Sequence, residues 1–374
     1  MKGLRGLWLR VHRWLALSAG WVLIFAGLSG AALVFAPPLD RWANPELFVA
    51  RSGGAAAQPG VPLETVLRSV RLEFGPGANL VFRPVRDPGE TLQVRVRGNW
   101  RGTLFLDPAT GAEQGRRGET EGAANVLFKL HSSLYLESTG KAILAWVALA
   151  YLFLLVTGLI LWWPRHWSKG WNIALDRGAL RALFDLHRVG GAALGLLIAV
   201  SVATGAYMAW RPLGAAVTWL AGETPVKAPR LPAAAPAGGG HQTLDQLAIK
   251  AAAQFQEPGF IGYIVVPPNA GAPIRFRFRL LDDPHPNGLS SVWIDPRSAE
   301  VLAVQRWNAL DPGAKATAFV FPLHTGELGG AALEIAVALG GLTLGGLGIS
   351  GVWLWWRRRS IRQAAASSRK PATT

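Results

Sequence analysis

The sequence predicts a membrane protein, mainly α-helical, with four transmembrane helices arranged as two parallel repeats of helix, α+β domain, helix. Three observations carry this expectation. Half of the 374 residues are hydrophobic and only 16% are charged, a mix too apolar for an ordinary soluble domain. Four uncharged runs, Trp14–Ala36, Ala142–Trp163, Val189–Trp210 and Ile335–Trp356, each suffice to cross a hydrocarbon core of about 30 Å at ~1.5 Å per residue. The runs also repeat. At an offset of 175, His12, Arg13, Gly20, Ser29 and Gly30 become His187, Arg188, Gly195, Thr204 and Gly205. At an offset of 193, Leu130-His131, Thr157-Gly158 and Leu161-Trp162-Trp163 become Leu323-His324, Ser350-Gly351 and Leu354-Trp355-Trp356.

The elements follow in order. Residues 1–13 carry Lys2, Arg5, Arg10 and Arg13 and lead into the first span, 14–36. Its 23 uncharged residues exceed the h-region of a signal peptide, so it reads as an uncleaved anchor. A long segment, 37–141, separates it from the second span, 142–163. The short loop 164–188 is basic, and the third span is 189–210. A second long segment, 211–334, precedes the fourth span, 335–356. The tail 357–374 is basic, rich in Ala and Ser, and expected to be disordered. By the positive-inside rule the termini and the short loop are cytoplasmic, and both long segments lie outside. Because both halves start inside, the repeats are parallel, with an axis along the membrane normal.

Each outside segment predicts the same α+β order. A helical stretch (Leu63–Val70; Leu244–Phe255) precedes an alternating strand (Leu92–Arg97; Ile274–Arg279), and a later strand ends in Asp-Pro (Thr103–Pro108; Ser291–Pro296). Residues 221–243, rich in Pro, Ala and Gly, form a linker. Arg95 and Arg97, and Arg275, Arg277 and Arg279, each line one strand face. Such a face is more often solvated than used to attract an anion.

The net charge of +15 raises the question of nucleic acid. Its clustering at helix ends instead fits topology, with lipid as the partner and no nucleic acid. With no cysteine, disulfides, thiolate haem ligands and iron–sulfur clusters are excluded. A redox site must use other ligands, and imidazole suits iron. His12 and His187 open the first and third spans; His131 and His324 precede the second and fourth. Pseudo-symmetry sets one pair at each membrane edge. Opposed neutral imidazoles are the axial ligands of a low-spin b-type haem, so the expectation is two bis-His haem b groups on His12/His187 and His131/His324. Arg13 and Arg188 would pair with propionates or serve only as positive-inside anchors. Gly20, Gly27, Gly30, Gly190, Gly191, Gly195, Gly345, Gly346, Gly348 and Gly351 leave room for a macrocycle or for close helix packing. His166 sits in a Trp-rich interfacial stretch, and His241 and His285 sit in flexible Gly- or Pro-rich ones. These three are expected not to be ligands.

With these residues in view, the chain resembles the PepSY-associated transmembrane family, often called iron-regulated membrane proteins. The resemblance rests on His12-Arg13, Leu186-His187-Arg188, Leu130-His131-Ser132-Ser133-Leu134, Pro322-Leu323-His324-Thr325-Gly326-Glu327 and the two Asp-Pro strands of PepSY-like domains. It covers nearly the whole chain. It implies a multi-pass protein of the bacterial inner membrane, with large periplasmic domains and two b-type haems, that reduces ferric siderophores in the periplasm. Some relatives look fused to a flavin-binding reductase. Only 18 residues follow Trp356 here, so the electron donor is expected to be external, a quinol or a soluble reductase. The competing expectation is a non-enzymatic envelope sensor or regulator that binds a peptide or protein through the outside domains. A transporter fits less well, because no charge interrupts any apolar run.

Overall fold

The computed structural model describes residues 2–53, 60–232, 242–268 and 271–367. Its helices are α1 (Lys2–Ala43), α2 (Pro45–Phe48), α3 (Leu63–Phe74), α4 (Ala123–Ser133), α5 (Glu137–Trp162), α6 (Trp167–Gly170), α7 (Ala179–Ala209), α8 (Arg211–Leu220), α9 (Leu244–Ala252), α10 (Pro312–Thr325) and α11 (Gly330–Ser367). Its strands are β1 (Asn79–Arg83), β2 (Leu92–Arg97), β3 (Arg101–Leu106), β4 (Glu113–Gly118), β5 (Gly259–Val266), β6 (Ile274–Leu280), β7 (Ser290–Ile294) and β8 (Val301–Gln305). The chain forms two compact units. One holds the long helices, from residues up to Phe35, Leu127–Trp210 and Leu323 onward; the other holds Ala36–Val126 and Arg211–Pro322.

In the first unit, α1, α5, α7 and α11 are long and apolar enough to cross a membrane. Large apolar side chains stay exposed along them, Trp21, Trp146, Leu196 and Ile335 among them, as a lipid surrounding requires. One result corrects the expectation from the sequence, and a second decides between two alternatives it leaves open. The tail after Trp356 is not disordered throughout, because α11 continues to Ser367. No Gly or Pro interrupts it there, and Arg357 and Arg359 lie 5.8 and 5.5 Å over the Trp353 and Trp355 rings. Several glycines also serve packing alone. A Cβ on Gly27 would lie 2.6 Å from the Gly341 carbonyl, one on Gly345 would strike Leu28, and one on Gly348 would strike Ile24, so α1 and α11 meet at backbone distance. Gly195 makes room for Leu155, whereas Gly20, Gly190 and Gly346 face open space.

Short helices lead into two of the spans through sharp reversals. Between α4 and α5, Leu134, Tyr135 and Glu137 have φ of 51, 60 and 48°. Between α10 and α11, Gly326 and Gly330 have φ of 91 and 59°. These breaks end α4 just beyond His131 and α10 just beyond His324.

In the second unit, the strands of both long segments join one antiparallel sheet in the order β4-β3-β2-β1-β5-β6-β7-β8. The sequence reading treated the segments as two domains; pairing of β1 with β5 merges them, Leu80 opposite Val266 and Phe82 opposite Ile264. Period-2 alternation buries Leu80, Phe82, Val94, Val96, Phe276, Phe278 and Leu280 on one face, beneath Val66 and Val70 of α3 and Leu247 and Ala251 of α9. The two helices cap each other. Amides of Leu63 and Glu64 donate to the Asp245 carboxylate at 2.8 and 3.0 Å, and the Leu244 amide donates to Glu64 at 3.0 Å.

The Asp-Pro turns also match. Asp107 Oδ1 accepts from the Ala109 and Thr110 amides, and Asp295 Oδ1 accepts from the Arg297 amide. Arg95 and Arg97 are exposed, as expected of a solvated face, but Arg275, Arg277 and Arg279 are half-buried.

Candidate functional site

His12, His131, His187 and His324 all lie in the helical unit, and each ring sits in the same kind of seat. His12 Nδ1 is 2.8 Å from Thr157 Oγ1, and His187 Nδ1 is 2.9 Å from Ser350 Oγ. His131 Nδ1 is 3.1 Å from Ser29 Oγ, and His324 Nδ1 is 3.1 Å from Thr204 Oγ1. Each hydroxyl also donates to a carbonyl three residues earlier on its own helix: Leu154, Leu347, Ala26 and Ser201. With its proton committed, each hydroxyl can only accept from the imidazole. The rings reach the same carbonyls; His324 Nδ1 lies 2.9 Å from the Ser201 oxygen, and the other three face their counterparts. A carbonyl oxygen only accepts. Nδ1 therefore carries the proton in all four rings, and Nε2 keeps the lone pair that binds a metal.

A glycine follows each hydroxyl residue and lies under the ring. A Cβ on Gly30 would come within 2.9 Å of His131 Cε1, and one on Gly205 within 2.9 Å of His324 Cε1. On Gly158 and Gly351 the corresponding approaches to His12 and His187 are 3.4 and 3.3 Å. The seats were legible as repeated Ser/Thr-Gly steps at 29–30, 157–158, 204–205 and 350–351, but the sequence reading gave those steps no role. Gly30 and Gly351, expected to leave room for a macrocycle or for close helix packing, make room for the histidine rings.

The structure brings His131 and His324 together, with ring centroids 6.1 Å apart and planes at 36°. Imidazoles bound on opposite sides of one metal, at about 2 Å per metal–nitrogen bond, hold their centroids about 6 Å apart. The spacing fits. His12 and His187 are electrostatically coupled neighbours. Among the described residues no group of three or more His, Cys, Asp and Glu could hold a metal ion. Two imidazoles at this spacing could hold a metal that brings further ligands of its own.

The arginines differ. Arg13 Nε is buried with no hydrogen-bond partner. Arg188 lies 3.3 Å from the fully buried Asp185, which Arg181 also pairs at 2.8 Å, and donates to the Asn172 carbonyl at 2.9 Å; its Nε is nonetheless unpartnered. Half-buried guanidinium groups with a spare, buried Nε donor are what an incoming carboxylate needs.

Of the remaining histidines, His166 is exposed ahead of α6, beside the Trp162, Trp163, Trp167 and Trp171 cluster. His241 lies outside the described residues. His285 corrects the expectation of a flexible stretch. It is buried, stacks on Phe321 at 4.7 Å, and accepts from the Asn287 amide at Nδ1. Burial, reinforced by Arg277 and Arg279, pushes its pKa down to about 3.

Four helices able to cross a membrane, with four histidines in like seats, define a class of multi-pass membrane protein. The model of the PepSY-associated TM region matches residues 9–358, and the chain belongs to that family. Among curated proteins none matches the chain.

Proposed function

We propose that this chain is a di-haem b electron-transfer protein of the bacterial inner membrane, built as two parallel repeats with residues 37–141 and 211–334 in the periplasm, and that it reduces ferric siderophores there. The observation that carries the reading is the fourfold seat: four imidazoles, each with Nδ1 protonated against a hydroxyl and a carbonyl and Nε2 free, two of them spaced for one metal. His12 with His187, and His131 with His324, would each hold one haem b. Bound there, the haems would supply one-electron chemistry at each membrane face. The chain's own residues fix the tautomer, set ring orientation through the hydroxyls, and offer Arg13 and Arg188 to propionates. Arg188 does so in competition with Asp185.

Support for the repeat comes from the mirrored strand order and from Glu64 and Asp245, which correspond at an offset of 181 and cap each other's helices. Basic residues at the termini and in 164–188 support the orientation. Reduction frees iron because hard siderophore oxygens hold Fe(II) less tightly than Fe(III). One electron enters from a quinol or a soluble reductase, and one reaches the ferric ion.

The test is a haem assay and visible spectrum of the purified protein. Two six-coordinate low-spin haems per chain are expected. His187→Ala and His324→Ala should each remove a different one. Absence of haem, or unaltered spectra in all four His→Ala variants, would overturn the reading. In proteoliposomes, a ferric siderophore added on the periplasmic side should reoxidise the pre-reduced protein. His131→Ala should abolish that reaction while the other haem stays reducible.

A further inference from the structure

The arginines of β6 are half-buried where their counterparts in β2 are exposed, and what surrounds them is unusual. β2 and β6 correspond at an offset of 182, so Arg277 stands where Arg95 does. Residues 98–100 join β2 to β3, but residues 281–289 join β6 to β7, and this longer loop folds back over the arginine face. Two glycines permit the close approach. A Cβ on Gly262 would strike the Asn287 carbonyl oxygen, and one on Gly288 (φ 65°) the Phe278 carbonyl oxygen.

Beneath the loop, three guanidinium groups gather with few acids. Arg277 donates from Nε to the Gly288 carbonyl, and its Nη2 lies 3.5 Å from both ring nitrogens of His285. Arg275 donates to Ser291 Oγ at 3.0 Å and lies 5.0 Å over the Trp293 ring. Arg86 donates to the Gly262 carbonyl and to Asn287 Oδ1, and lies 5.4 and 5.6 Å over the Phe260 and Tyr263 rings; its Nε is buried without a partner. Two carboxylates act on the group, and both are engaged: Glu90, near Arg86, pairs with Arg41 at 2.6 Å and Arg83 at 3.8 Å, and Asp283 accepts from the His285 and Leu289 amides at 3.0 and 2.6 Å. Burial, with Arg275 adding to it, pushes the Arg277 guanidinium down to about 10. Burying like charges in this way is unfavourable unless an anion joins them.

We propose that Arg86, Arg275 and Arg277, walled by Phe260, Tyr263, Trp293 and His285, form an anion-binding site for the carboxylate or phosphate group of a ligand. Planar guanidinium forks match such oxyanions by two-point hydrogen bonds. Phe260, half exposed at the rim, and Arg279, 6.0 Å over its ring, mark the entrance. The site stands apart from the haem reading.

Calorimetric titration of the full-length protein in nanodiscs, at low ionic strength, tests it with citrate and, separately, inorganic phosphate. Saturable one-site binding is expected. Arg86→Gln should weaken it at least tenfold, and the exposed Arg95→Gln should not change it. Visible spectra should stay unaltered in both variants, which separates this site from the histidine pairs. Tighter binding of citrate assigns a carboxylate, and tighter binding of phosphate assigns a phosphoryl group. Should Arg86→Gln fail to fold, Arg275→Gln supplies the second measurement. No saturable binding of either anion, or full affinity in a folded Arg86→Gln or Arg275→Gln protein, overturns the proposal.

Discussion

The two halves of the chain treat their membrane helices alike and their sheet strands differently. Every paired histidine has a hydroxyl, a carbonyl and a glycine in the same places. By contrast, Arg95 is open to solvent while Arg277, at the matching position, is half-buried under a loop. If the histidines bind metal as proposed, the seats must stay alike, because a metal bond needs one tautomer and one ring orientation. The strand face has no such demand, so a longer loop turns a solvated stripe into an enclosed cluster. The inner arginines repeat the lesson. Asp185, beside Arg188, corresponds to Arg10, beside Arg13, so the two halves offer an incoming carboxylate different competition.

The largest expected effect comes from filling a seat. Gly205→Leu would drive a side chain into His324 Cε1, whereas Gly20→Leu projects into open space. Gly205→Leu should remove the haem of the His131/His324 pair, halving the haem per chain, and Gly20→Leu should keep both. Equal haem content in the two variants would mean that the seat does not position the ligand.

Next come the hydroxyls. His324 Nδ1 lies 2.9 Å from the Ser201 carbonyl, closer than the 3.1 Å to Thr204, whereas the tightest contact of His12 Nδ1 is the Thr157 hydroxyl at 2.8 Å. Loss of an outer-shell partner costs about 10- to 100-fold in metal affinity. Thr157→Val should fall within that range and Thr204→Val at or below its lower end. Haem dissociation and redox titration of each variant would measure this. A larger loss in Thr204→Val reverses the ranking.

Acid should affect the sheet through its Asp-Pro turns. Arg297, at 2.8 Å, holds the Asp295 carboxyl below its usual range. At Asp107, burial pushes up, but the Ser52, Ala109 and Thr110 amides outweigh it, so this group also sits low. Both therefore stabilise the fold fully above about pH 4, the usual carboxylate range, and lose that contribution as pH falls through their lowered folded values. Asp295→Asn should flatten the acid limb of an unfolding profile. An unchanged limb would place the acid sensitivity elsewhere.

Much of this was legible in the chain. Runs without charge located the spans, and fixed offsets selected four of the seven histidines. Alternation located β2 and β6 to within a residue of their ends. What escaped depends on non-local pairing. Nothing local in Leu80–Phe82 tells that it meets Ile264–Val266 and joins two segments into one sheet. Burial of His285 depends on Gly262, on a neighbouring strand, allowing its loop to lie flat. The helical tail was missed because Ala-rich, basic composition suits a disordered segment and an exposed helix equally.

The smallest expected effect compares the two Asp-Pro turns at their tightest residue. Gly111 (φ 73°) and Ala299 (φ 59°) correspond at an offset of 188. A left-handed alanine costs about 1–2 kcal/mol. Gly111→Ala incurs that cost and places its methyl 3.0 Å from Val61 Cγ2, against a gain of about 0.4–1 kcal/mol from a stiffer unfolded chain. It should destabilise the turn by about 1 kcal/mol. Ala299→Gly relieves the strain, but it gives up a buried methyl worth about 0.8 kcal/mol and the same entropy term. Those effects nearly cancel. Hydrogen exchange of the full-length protein, read at the amides of Gly111 and Ala299 that close the turns onto the Asp107 and Asp295 carbonyls, resolves each site separately. Faster exchange at 111 in Gly111→Ala, with little change at 299 in Ala299→Gly, is expected. Slower exchange in Gly111→Ala would mean that the left-handed cost is overstated and that chain entropy decides both turns.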